Sequence, residues 1–166
     1  MTADTTTSVL TDAAKTADVA LGRLHDVLGR INDGDLHLAT PGGGWTVAQV
    51  VSHITVSTLV WLGDVERLRQ DPDLRFFFRE EIGHDALGYP PPTVDIARRR
   101  LESTRRAINT CLPATDPAVL DRTVEIPDLG TKTVLDWIPV IVGHVTGHVD
   151  QALDILRSRD VLPEGA

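Results

Sequence analysis

A chain of 166 residues with 42% hydrophobic side chains can bury one substantial core and is too short to require a second, so a single domain over 1–166 is expected. Its net charge of −8, from 16 basic and 24 acidic residues, argues against a nucleic-acid partner, which needs concentrated positive charge. The one cysteine, Cys111, excludes an intramolecular disulfide and a cysteine-based zinc knuckle, and without a leader-like N-terminus or a long apolar run the expectation is a soluble, cytoplasmic protein with no membrane partner.

Leu10, Ala14, Ala17, Leu21, Leu24, Leu28 and Ile31 recur at alternating spacings of four and three, a stripe that predicts a first helix over about 7–31. Asn32, Asp33 and Gly34 break it, and Pro41-Gly42-Gly43-Gly44 leaves 32–45 as a connection without regular structure. Thr46 and Gln49 fit a capping box, and Trp45 and Val50 fit a hydrophobic staple, which together open a second helix over 46–70. Val47, Val50, Ile54, Trp61, Val65 and Leu68 face inward there, with His53 beside them.

Residues 71–92 form a long connection that carries Phe76, Phe77 and Phe78 before Pro90-Pro91-Pro92. Its length suits a lid or binding element, while the three Phe more simply plug a bundle end or a dimer contact. A third helix over 93–112 turns Ala97, Leu101, Thr104, Ile108 and Leu112 inward and holds Cys111 near its end as a small buried hydrophobe. Its basic residues Arg98, Arg99, Arg100, Arg105 and Arg106 stand at helical pairing distance from Asp95 and Glu102, the pattern of a solvated face. Val124 and Ile126 followed by Pro127, Asp128 and Gly130 suggest a short extended piece and a turn. Thr133 and Asp136 suggest a second capping box that opens a last helix over 134–158, in which Pro139 removes a backbone hydrogen bond and predicts a kink. Four striped helices describe an all-α four-helix bundle.

His144 and His148 lie one turn apart, so their rings project from one face and can grip one ion together. The stripe Ile141, His144, His148, Gln151 and Ile155 puts two imidazoles and an amide where aliphatic side chains belong, at a free-energy cost unless they are satisfied. His53 adds an inward imidazole from another helix. Two readings fit this pattern: histidines satisfied separately or as a hydrogen-bonded pair, and a shared divalent cation with positions left open for water or substrate. Gln151 or Asp150 is placed to orient a ring nitrogen from behind. His25 at the edge of the first stripe, and His37 and His84 in connections, are read as surface residues, with His84 the nearest substitute ligand.

Gly44-Trp45-Thr46 at the head of the second helix, His53 within Val51-Ser52-His53-Ile54, and the stretch from Gly143 to Gln151 with its HxxxHxxQ pattern resemble, in that order, the DinB/YfiT-like superfamily of metal-binding four-helix bundles. The resemblance implies that His53, His144 and His148 hold one divalent ion, zinc or nickel, often in a homodimer. It also relates the chain to thiol-dependent S-transferases and to the N-terminal domains of mycothiol-dependent maleylpyruvate isomerases. That isomerase branch tends to carry a carboxylate where His144 stands and an acidic residue where Gln151 stands, so this sequence departs from it. Lys15 and Lys132 are the only lysines, a bias of GC-rich, actinobacterial character that makes mycothiol the first thiol to consider. The expectation is a metal-dependent S-transferase acting on a small-molecule substrate, in which the ion lowers the pKa of a low-molecular-weight thiol. A metal-dependent hydrolase would need a general base, and no inward carboxylate is apparent. A non-catalytic stress-response module would close its metal site with a fourth ligand such as His84 or Cys111.

Overall fold

The apolar stripes become helix contacts. The computed structural model describes residues 3–71, 88–126 and 130–163. Helix α1 spans Ala3–Leu28, α2 Val47–Gln70, α3 Val94–Cys111, the one-turn α4 Pro117–Leu120, and α5 Val134–Ser158. Both α1 and α2 pack against α3 and against α5, so α1 and α2 occupy opposite corners of an all-α assembly. Every residue of the α2 and α3 stripes is buried, as is the α1 stripe through Leu28. Full burial of a side chain such as Leu21 or Leu24 contributes roughly 1.5–3 kcal/mol.

Helix α1 stops three residues before its expected end. After the bond from the Gly29 amide to the His25 carbonyl, the amides of Arg30 and Ile31 reach back only three residues, to Val27 and Leu28, a tightening common at helix ends. Ile31 nonetheless packs on the core from the turn.

The connection over 32–45 is more ordered than its glycines suggest. Asn32 caps a 3-10 helix at Asp33–His37: its side-chain oxygen accepts from the Gly34 and Asp35 amides, while the Asp35 carboxylate accepts from the Asn32 amide. This is a reciprocal box, and it seats Leu36 in the core. Further on, Ala39 and Thr46 form an antiparallel bridge around a turn in which Gly43 (φ +87°) and Gly44 (φ +110°) adopt backbone that other residues resist.

Between α3 and α5 the extended piece is a hairpin: β1 (Thr123–Ile126) pairs antiparallel with β2 (Gly130–Thr133), with Val124 opposite Lys132. The buried Trp137 indole of α5 donates to the Val124 carbonyl at 3.2 Å. Arg122 donates to the carbonyls of Leu68 and Asp71, where the end of α2 leaves carbonyls without helical partners. The expected box at the head of α5 forms only in half. Thr133 Oγ1 accepts from the Asp136 amide, but the Asp136 carboxylate takes the Thr133 hydroxyl rather than its backbone amide. Pro139 lies inside α5, which continues helically past it.

Cys111 is exposed, contrary to its expected burial. It falls beside the stripe that Ile108 and Leu112 complete, and Leu112 takes the interior position. Phe76, Phe77, Phe78 and His84 lie outside the described residues. Among those described, no helix is long and apolar enough to cross a membrane.

The basic face of α3 is engaged in ion pairs. Arg99 meets Asp95 at 2.5 Å, and Arg105 reaches Glu102 at 3.3 Å. Arg105 also forks onto Asp18 of α1, with Nε to Oδ1 at 2.8 Å and Nη2 to Oδ2 at 3.2 Å, and Asn109 donates to the same carboxylate at 2.9 Å. Hydrogen bonding from Arg105 holds the Asp18 carboxyl below its usual value of 3.8. A carboxyl depressed in the folded state contributes stability that is complete above its unfolded pKa and is lost as pH falls through the folded one. Asp18→Asn is therefore expected to cost about 1 kcal/mol at neutral pH. Urea unfolding of both proteins should show that deficit shrinking as the pH is taken well below about 4.

Candidate metal centre

His53 sits two turns into α2, whose start is locked by the full capping box. Thr46 Oγ1 accepts from the Gln49 amide at 3.2 Å, and Gln49 Oε1 accepts from the Thr46 amide at 2.8 Å. His144 and His148 occupy successive turns of α5 on the side that meets α2. The packing of the two helices brings the rings together: one nitrogen from each of His53, His144 and His148 lies within 4.8 Å of the others. Ring centroids are 5.0 Å apart for His53 and His144, 4.6 Å for His53 and His148, and 4.5 Å for His144 and His148. His53 is buried and the other two are half-buried, so the cluster is closed on the α2 side.

Nitrogen chemistry defines the rest. The Nε2 atoms of His53 and His144 face each other at 3.0 Å, a separation at which either ring can donate to the other when its Nε2 carries the hydrogen. His148 Nδ1 lies 2.7 Å from Gln151 Oε1. A carboxamide oxygen only accepts, so Nδ1 carries the hydrogen and Nε2 keeps its lone pair, the tautomer a metal ligand needs. Asp150, the other candidate for that supporting role, is exposed and pairs with Arg23 of α1. His25 lies apart on α1, 3.3 Å from Asp26, and His37 is exposed on the 3-10 helix. Among the described residues no further His, Cys, Asp or Glu joins the three imidazoles.

Trp45 is the contributor that sequence reasoning missed. Its ring centroid lies 4.7 Å from that of His53, and 5.6 Å from that of His148 with only 20° between the planes. The signal was present: a large ring just before a helix cap lies back over the first turns of that helix, and His53 stands two turns in.

Three imidazoles converging between two helices are a donor set suited to zinc, nickel or a similar divalent ion. A family model of the DinB superfamily matches residues 17–152. The chain belongs to the DinB superfamily. The matched span takes in the C-terminal part of α1, the whole of α2 and α3, and α5 as far as His148 and Gln151, so all three imidazoles of this DinB protein fall inside it. No curated protein matches the chain.

The tautomer is directly observable. In a long-range proton–nitrogen spectrum above the histidine pKa, His148 is expected to show a protonated Nδ1 and an unprotonated Nε2. Gln151→Ala should move this ring toward the tautomeric mixture of a free imidazole, whereas Asp150→Ala should leave it unchanged.

Proposed function

We propose that this DinB protein is a divalent-metal-dependent S-transferase of the cytoplasm, joining a low-molecular-weight thiol such as mycothiol to a small electrophilic substrate, with zinc or nickel as its ion. The observation that carries the reading is the convergence of His53, His144 and His148 to within 4.8 Å in a chain of the DinB superfamily. A divalent ion held by three imidazoles supplies Lewis acidity, which lowers the pKa of a thiol.

The chain's own residues divide the remaining work. His53 offers its nitrogen from the buried wall of α2, and His144 and His148 offer theirs from one face of α5. Gln151 holds the His148 ring in the ligating tautomer. Three protein donors are the number typical of a site that also admits a substrate, whereas structural sites are closed by a fourth. Cys111, the one thiol of the chain, is exposed at the end of α3 and does not join the cluster. Hydrolysis finds less support, because no carboxylate stands with the imidazoles among the described residues to serve as general base.

Metal analysis of the purified protein is expected to find about one zinc or nickel per chain, and the His144→Ala, His148→Ala double variant should lose it while keeping its helical circular dichroism. Metal-loaded protein should consume mycothiol in the presence of a panel of electrophiles, and chelation should abolish this. Retained metal without thiol consumption would retire the transferase and leave the metal centre standing.

A further inference from the structure

We infer that Trp45 is a positioning residue of the three-histidine centre, a rigid aromatic wall that sets the ring planes of His53 and His148 and favours them in their metal-loaded, electron-poor form. This rests on the metal-centre reading above. The indole touches ligands from two different helices, tilted 54° against His53 and close to parallel with His148. An imidazole bound to a cation loses electron density from its ring, and an indole face is the strongest side-chain donor toward such a ring at separations up to about 6 Å. Both centroid distances fall within that reach, so the contact gains strength when the rings are bound to an ion.

The backbone that carries the indole is also held in place independently of the imidazoles. Trp45 directly precedes Thr46, whose backbone is fixed both by the antiparallel bridge with Ala39 and by the capping box with Gln49. The turn before it is closed by Thr40 Oγ1 donating to the Gly43 carbonyl and by Val47 donating to Leu38 at 3.0 Å. Arg159, the C-cap of the helix that carries His144 and His148, donates from Nε to the Ala39 carbonyl at 2.6 Å and from Nη2 to the Thr40 carbonyl at 3.3 Å. The wall is thus anchored to both ligand-bearing helices, and preorganised support of this kind tunes affinity without touching the ion.

The test compares wild type, Trp45→Phe and Trp45→Leu for zinc affinity, by competition with a chromophoric chelator, and for the visible absorption of the cobalt(II)-loaded protein. Leucine keeps apolar bulk without a π face, and phenylalanine keeps a weaker one. The expected order is wild type, then Phe, then Leu, with Leu roughly three- to thirtyfold weaker. Its cobalt bands should be displaced and largely restored in Phe, a rescue that loss of packing alone would not produce. Equal affinities and identical cobalt spectra would overturn the inference. If the Leu variant fails to fold, the Phe variant decides, and affinity equal to wild type would overturn it in the same way. Failure of wild type to bind zinc or cobalt would overturn the metal-centre reading itself, an outcome distinct from equal binding by all three proteins.

Discussion

Three imidazoles gathered between α2 and α5, one buried and two half-buried, are the constraint to which the surrounding structure answers. A polar ring withdrawn from water is costly unless each nitrogen finds a partner. Here two such contacts lie within the cluster and at its rim. The Nε2 atoms of His53 and His144 face each other at 3.0 Å, and His148 gives its Nδ1 hydrogen to Gln151. The three rings present nitrogens to one another across less than 5 Å, an arrangement that a divalent cation would suit.

Holding three rings in one place requires the helices beneath them to be fixed in register, and the ends of those helices are tied with unusual care. The first turn of α2 is closed by a reciprocal cap, and Arg122 takes the carbonyls at its last turn. The head of α5 is joined to the hairpin through Trp137, and its tail holds the loop before α2 through Arg159. Neither helix can slide or rotate by one residue without breaking a tie at one of its ends, and a one-residue rotation of α5 would swing His144 and His148 off the seam by about 100°.

Helix identity and inward faces were legible from spacing alone, because burial of a stripe is a property of each helix by itself. His144 and His148 were legible as a pair for the same reason: their separation is local. His53 was legible as inward, but its meeting with the other two depends on how α2 packs on α5, which no local pattern encodes, and the family resemblance bridged that gap. The 3-10 helix at Asp33–His37 was missed because Gly34 and the glycines after Pro41 outweighed the Asn32 and Asp35 box. The exposure of Cys111 was missed because a residue at the rim of a stripe is assigned by small differences in angle. Trp45 was recognised as a staple and not as a wall of the site, since the rings it covers come from two helices and only one of them adjoins it in sequence.

His53 and His144 are separated by 91 positions in the chain, so an ion gripped by both would act as a removable clasp across more than half the polypeptide. A clasp that engages the native form and not the disordered one shifts the folding balance by an amount set by how much free ion surrounds the molecule. The persistence of the folded chain would then be coupled to the supply of that ion.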